Sequence, residues 1–213
     1  MVHDQLRAGG IADTRVLEVM GEVPREEFVP RRWRFRAYAD GALPIGRGQT
    51  ISQPWVVAAI CVALELGGSE RVFEVGTGSG YSAMVLSRLA AHVTTTELVE
   101  ELAGGARETL GRLGVDNVEV LHGDGSLRAP GGPYDAIAVH AAAPDLPAGL
   151  AQALAPGGRL VAPIAEGGAD MLTAFTRTDA GEGAEPRLDR RRIAACRFVP
   201  LLGEGGFESG EVG

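Results

Sequence analysis

Val72-Phe73-Glu74-Val75-Gly76-Thr77-Gly78-Ser79-Gly80-Tyr81 decides how this chain folds. Apolar residues at 72, 73 and 75 read as a β-strand, a turn of Gly and Ser follows, and Tyr81 to Ala90 reads as a helix. A glycine turn lets a ligand approach the backbone closely, because Gly lacks a side chain and tolerates φ > 0. The start of the following helix points free N–H groups at such a ligand. Glycine strings of this kind occur in many dinucleotide enzymes, so the turn alone names no cofactor.

Downstream, strands and helices alternate. Strand 71–75 leads to helix 81–91, and strand 93–97 to helix 99–113; strand 117–121, strand 134–139, helix 146–154 and strand 158–163 follow. That alternation predicts right-handed crossovers and a doubly wound, mostly parallel sheet, with ligands bound outside the carboxyl ends of its strands. Segments 170–177 and 192–200 read as an antiparallel hairpin joined by the polar loop Asp179 to Arg191. Upstream, residues 1–30 carry apolar residues at helical spacing (Leu6, Ile11, Val16, Leu17, Met20, Val23), with Asp13 as N-cap and Pro24 and Pro30 as punctuation. Asp40 to Pro54, where Gly and Pro alternate with apolar residues, reads as a structured loop before an apolar helix from Val56 to Leu66.

The chain has 213 residues and 45% hydrophobic content, enough for one domain with a sizeable core. The reading is a single domain: a helical cover and loop over 1–55, a Rossmann-like core over 56–202, and a flexible tail over 203–213. Net charge is −8, which argues against a nucleic-acid partner. Arg31, Arg32, Arg34 and Arg36, interleaved with Trp33, Phe35 and Tyr38, therefore read as a solvated basic face. The apolar runs near 56–66 and 134–143 are too short to span a membrane, and the N-terminus lacks a signal-peptide pattern. Cys61 and Cys196 read as free thiols, in keeping with a reducing, cytoplasmic setting.

Three acids fall at strand ends. Glu74 precedes the glycine turn. Glu97 ends the second strand, where an acid is placed to accept hydrogen bonds from ribose hydroxyls. Asp124 sits in His122-Gly123-Asp124-Gly125 after the third strand, in a turn that is structurally ordinary on its own. The spacing Glu-x-Gly-x-Gly-x-Gly is more typical of AdoMet-dependent methyltransferases than of NAD enzymes.

Together with Asp40-Gly41-Ala42-Leu43-Pro44-Ile45-Gly46-Arg47-Gly48-Gln49-Thr50-Ile51-Ser52-Gln53-Pro54, this block resembles the protein-L-isoaspartate O-methyltransferase family. Val23-Pro24-Arg25-Glu26-Glu27-Phe28-Val29-Pro30 and Arg197-Phe198-Val199-Pro200-Leu201 extend the resemblance over residues 1 to 203. It implies a class I AdoMet-dependent methyltransferase with a C-terminal antiparallel hairpin and an N-terminal helical cover. It also implies an enzyme that methylates L-isoaspartyl carboxylates in damaged proteins and peptides, leading through a succinimide to repair; nothing in the sequence demands more than a monomer.

Carried over residue by residue, Gly76, Thr77, Gly78, Ser79 and Gly80 would lie under the methionine and ribose of AdoMet. Glu74 would reach the methionine ammonium, Glu97 the ribose, and Gly123, Asp124 and Gly125 the adenine. Gln49, Thr50 and Ile51 would line cofactor and acceptor. Ser52 would hold the active-site role, orienting the acceptor carboxylate; the alternative is that it caps the helix beginning near Pro54. Val199, Pro200 and Leu201 would hold an extended peptide. Trp55 and His140 depart from the family pattern and are placed to touch the acceptor.

Methyl transfer from a sulfonium to a carboxylate needs no general base, since the carboxylate is ionised above pH about 4. The absence of a Ser-His-Asp pattern, a metal-ligand cluster or paired catalytic carboxylates agrees with that chemistry. One alternative keeps the chemistry and changes the acceptor to a normal aspartate in a dedicated ribosomal precursor peptide. An NAD oxidoreductase lacks its proton-donating pair here, and a non-catalytic binding module would not need Ser52 beside the three acids.

Overall fold

A computed structural model describes residues 1–179 and 185–207. It contains a separate two-stranded sheet of β1 (Leu43–Gly46) and β2 (Gln49–Ile51) and a seven-stranded sheet in the order β5-β4-β3-β6-β7-β8-β9. The parallel strands are β3 (Arg71–Val75), β4 (His92–Glu97), β5 (Val118–His122), β6 (Tyr134–Val139) and β7 (Leu154–Glu166). Strands β8 (Ala169–Arg177) and β9 (Leu188–Cys196) run antiparallel at one edge. Because β3 pairs with β4 on one side and with β6 on the other, the strand order reverses there. That reversal opens a crevice at the carboxyl ends of β3 and β6.

Alternation along the strands builds two apolar layers, since successive side chains point to opposite faces. Val72, Ala136, Ala138 and Val161 face one core with helices α1 (Thr14–Glu22), α2 (Pro54–Leu64), α3 (Tyr81–Leu89) and α4 (Glu100–Arg112). Phe73, Val75, Ile137, Val139 and Leu160 face the other, with α5 (Ala148–Gln152). The N-terminal cover shares the first core: Leu6 and Met20 have no exposed surface, and Phe28 meets Tyr81 edge to face at 5.6 Å. Helix α1 begins where Asp13 accepts a hydrogen bond from the Val16 N–H at 3.0 Å.

Several boundaries differ from the sequence reading. The Asp40–Pro54 segment forms a hairpin, β1 (Leu43–Gly46) with β2 (Gln49–Ile51), turned by Arg47 and Gly48 at φ of +52° and +73°. Helix α5 is confined to Ala148–Gln152, because Pro147 opens it and Leu154 already pairs with Tyr134. The last strand lies at Leu188–Cys196 rather than 192–200, so Asp189 to Arg191 belong to the strand and not to the loop. Residues 180–184 of that loop lie outside the described residues. The tail expected over 203–213 is docked at its start: Glu204 N–H donates to Asp124 at 2.9 Å and Gly205 N–H to Ser126 Oγ at 3.0 Å. Residues 208–213 lie outside the described residues.

Ile137 has no exposed surface in the strand that closes the crevice. Ile137→Ala is expected to lower unfolding free energy by about 2–5 kcal/mol in urea titration, the usual cost of emptying such a site. A midpoint equal to that of the parent would contradict this packing.

Candidate active site

The crevice holds a cavity with about 890 Å³ of atom-free space, open to solvent. Its floor is the turn after β3, where Gly76, Thr77, Gly78 and Ser79 line it. Gly76 turns at φ +91°, which a side chain would strain, and a Cβ added there would lie 3.5 Å from the His140 Cβ. Gly80 does not line the cavity; it sits at φ +90° against Ala106 and Leu110 of α4. Three amides of the turn itself are engaged within the chain. Gly76 and Thr77 both donate to the Thr96 carbonyl, at 2.9 and 3.1 Å, and Gly78 donates to Glu97 Oε2 at 2.7 Å.

Glu97 is nearly buried at the end of β4 and lines the cavity. Its second oxygen accepts the Val99 N–H at 2.9 Å. Each carboxylate oxygen therefore has one lone pair engaged and one left for a ligand hydroxyl. Gly123, Asp124 and Gly125 form the wall beyond β5. A Cβ at Gly125 would come within 2.0 Å of Thr96 Oγ1, so only glycine fits that wall. Burial alone would raise the Asp124 carboxyl, but hydrogen bonds from the Ser126 hydroxyl, the Glu204 N–H and the Ser126 N–H outweigh it and hold it below the ordinary carboxylate range.

The hairpin β1-β2 forms the roof. Gln49, Thr50, Ile51 and Ser52 line the cavity from it. Helix α2 is N-capped by Gln53 without a side-chain hydrogen bond, so Ser52 does not cap it, and the Ser52 hydroxyl has no hydrogen-bond partner among the described residues. On the far side stand His140, Val199, Pro200 and Leu201. The Val199 carbonyl and the Leu201 N–H are bonded to Ala142, at 2.8 and 2.7 Å, so one edge of this segment is already paired. A second cavity adjoins the first through Thr50, Ser52, His140 and Val199, which line both. Trp55 lines only the second, with its indole N–H donated to the Gly9 carbonyl at 2.9 Å.

Glu74 is the sequence-predicted residue whose placement differs most. It has no exposed surface and does not line the cavity. Strand alternation turns it, with Val72, toward α3, where Ser82 donates to its Oε1, while Thr95 donates to its Oε2 at 2.6 Å. A direct contact with a ligand in the cavity is thus replaced by contacts to the cavity's walls.

Sequence reasoning missed Arg25. It has no exposed surface, donates to the carbonyls of Ala37 at 2.8 Å and Ser52 at 2.6 Å, and stacks over the Tyr81 ring at 4.6 Å. It binds the cover, the Ser52 loop and the first turn of α3 into one unit. Burial lowers its guanidinium below the ordinary value and pushes the Tyr81 phenol up to about 12, so the phenol stays protonated at neutral pH. An arginine between two prolines in Pro24-Arg25-Glu26-Glu27-Phe28-Val29-Pro30 gives no sign of burial beyond the apolar residues around it.

The cavity suits a nucleoside-bearing cofactor on one side and an acceptor on the other: a glycine floor, a ribose-ready carboxylate and a hydroxyl at the shared wall. Among the described residues no group of three or more His, Cys, Asp or Glu could hold a metal ion, and no helix is long and apolar enough to cross a membrane.

Residues 1–206 match the family model of protein-L-isoaspartate(D-aspartate) O-methyltransferase. A protein-L-isoaspartate O-methyltransferase 1 of Rhodopseudomonas palustris is 49% identical, covering 98% of this chain and 84% of its own. A protein-L-isoaspartate O-methyltransferase 2 of Marinobacter nauticus is 50% identical over 97% of this chain and 93% of its own. Among solved structures, a Plasmodium falciparum protein named as a candidate protein-L-isoaspartate O-methyltransferase, in complex with S-adenosyl-L-homocysteine, superposes with a TM-score of 0.78. It is 26% identical, and the match covers 94% of this chain and 96% of that one.

Arg25→Met is expected to orphan the buried Ala37 carbonyl, at about 1–3 kcal/mol, and to release the part-buried Ser52 carbonyl, visible as a lower urea midpoint. Arg25→Lys is expected to recover only part of the loss, because an ammonium does not reproduce the planar fork. An unchanged midpoint in Arg25→Met would contradict the role assigned to this side chain.

Proposed function

The chain belongs to the protein-L-isoaspartate(D-aspartate) O-methyltransferase family, and from that premise we propose that it methylates the carboxylate of L-isoaspartyl residues in proteins and peptides. Its fold is that of the class I AdoMet-dependent methyltransferases. The observation that carries the reading is the pair of cavities meeting at Ser52, one lined by the glycine turn and Glu97 and the other open toward the 195–199 segment.

AdoMet, when bound, supplies a methyl group activated by the positive charge of its sulfonium. The chain's own work is binding, alignment and exclusion of water. Glu97 has a free lone pair on each oxygen for the ribose hydroxyls, and Gly125 packs directly on Thr96 in the wall that would face the base. Asp124 keeps unused acceptor capacity on the oxygen bonded to Glu204. Ile51, Val57 and Ala141 give the cavity apolar walls that lower the local dielectric. Ser52 presents an uncommitted hydroxyl at the wall shared by the two cavities, which suits it to orient an acceptor oxygen in line with the methyl group. Orientation is the main term available to a reaction that needs no proton transfer in its chemical step, and well-oriented reactants gain roughly 7–11 kcal/mol.

The methyl ester that results is a better leaving group than the free carboxylate. The main-chain amide nitrogen attacks the ester carbonyl, the methoxide leaves and takes up the amide proton as methanol, and the resulting succinimide is reopened by water in part to normal aspartate. The reading extends to a cytoplasmic monomer that acts on polypeptide rather than on nucleic acid or membrane. A net charge of −8 and two free thiols, Cys61 and Cys196, support it.

Methyl transfer from labelled AdoMet to two matched peptides tests this reading. Preference for the isoaspartyl peptide over the aspartyl one is expected; equal or reversed preference would contradict it, the latter favouring a dedicated aspartyl peptide. Ser52→Ala is expected to lower kcat about 10- to 100-fold, the worth of a hydrogen bond to a charged group. Binding of S-adenosyl-L-homocysteine should persist in that variant, and undiminished turnover would remove Ser52 from the mechanism.

A further inference from the structure

A buried polar chain runs from the glycine turn to the wall between the cavities. Thr77 Oγ1 lies 2.6 Å from Thr95 Oγ1, and Thr95 donates to Glu74 Oε2 at 2.6 Å. Ser82 donates to Glu74 Oε1, and His140 Nε2 stands 2.7 Å from Ser82 Oγ and 3.3 Å from Glu74 Oε1. Glu74 is fully buried and the His140 side chain is 6% exposed. Since the Ser82 hydroxyl proton goes to Glu74, its oxygen accepts from Nε2–H of His140. Burying a carboxylate is unfavourable unless it is paired and hydrogen-bonded. Among the described residues, His140 is the side chain within ion-pair distance of Glu74 that can carry the balancing charge.

The other ring nitrogen, Nδ1, has no hydrogen-bond partner among the described residues, and His140 lines both cavities together with Ser52. We infer that His140, held in place by Glu74, is an acceptor-recognition residue that donates a hydrogen bond from Nδ1 to the acceptor carboxylate opposite Ser52. A ring bonded at both nitrogens in this way carries both protons, and Glu74 balances its charge. Glu74 is then a positioning residue: it acts through His140 and not on the cofactor. This inference rests on the isoaspartyl reading above.

Physical chemistry sets the form of the effect. A carboxylate attacking a sulfonium loses negative charge on the way to the transition state. A cation beside it therefore stabilises the bound acceptor at least as well as the transition state, which lowers KM without raising kcat.

The test compares wild type, His140→Ala, His140→Asn and Glu74→Gln, with kcat and KM measured for an isoaspartyl peptide and S-adenosyl-L-homocysteine affinity measured by calorimetry. His140→Ala is expected to raise peptide KM about 10-fold or more, the worth of a charge-assisted hydrogen bond, with kcat little changed. His140→Asn, which keeps an N–H donor, should recover much of that loss. Glu74→Gln should raise peptide KM while cofactor-product affinity stays within about twofold. In wild type bound to S-adenosyl-L-homocysteine, adding peptide should move the Nδ1 nitrogen-15 resonance of His140. The inference is overturned if His140→Ala has the parent's KM on an active background, or if Glu74→Gln weakens S-adenosyl-L-homocysteine and leaves peptide KM unchanged. A wild type inactive on the isoaspartyl peptide would instead remove the functional reading, and this inference with it.

Discussion

A carboxylate with no exposed surface, Glu74, sits directly beneath the glycine turn, and it dictates how four elements meet. A buried charge must be surrounded by donors or it destabilises the fold by several kcal/mol, on the order of the cost of an uncompensated ion. Its partners come from β4 through Thr95, from α3 through Ser82, and from the end of β6 through His140. The carboxyl ends of three adjacent strands and the start of the first crossover helix are thereby fixed relative to one another. Both cavities inherit their shape from that fixation.

The roof is fixed by the complementary device, a buried cation. Arg25 spans the carbonyls of Ala37 and Ser52 and rests on Tyr81, the first residue of α3. The N-terminal cover thus reaches the same helix that Ser82 ties to Glu74. Ser52 stands at the end of one network and His140 at the end of the other, and both line the two cavities. Rigid placement of both serves a displacement that depends on alignment more than on acid or base chemistry.

Much of this was legible in the sequence where periodicity and turn chemistry speak directly. Arg71–Val75 and Tyr134–Val139 match their expected strands because apolar runs bounded by polar turns leave one reading. The sequence places the edge strand Leu188–Cys196 too late because Asp189 to Arg191 look like a loop; charged residues on an exposed edge also protect a sheet from pairing with other chains. The β1-β2 hairpin hid behind its glycines. Glu74 illustrates a subtler limit. Its place at a strand end suggested a ligand contact, whereas alternation with Val72 turns it to the helix face, and only the hydroxyls of Ser82 and Thr95 reveal its partners. Arg25 and the docking of 203–205 on Asp124 and Ser126 depend on contacts between distant segments, which no local pattern announces.

The most direct measurement of the central claim is a crystal structure with S-adenosyl-L-homocysteine and an isoaspartyl peptide bound together. The account predicts the acceptor carboxylate at the junction of the cavities, within about 2.7–3.2 Å of Ser52 Oγ and His140 Nδ1, with Glu97 on the ribose and Glu74 still buried among Thr95, Ser82 and His140. An acceptor carboxylate bound away from that junction, or Glu74 turned into the cavity to meet the methionine ammonium, would contradict it.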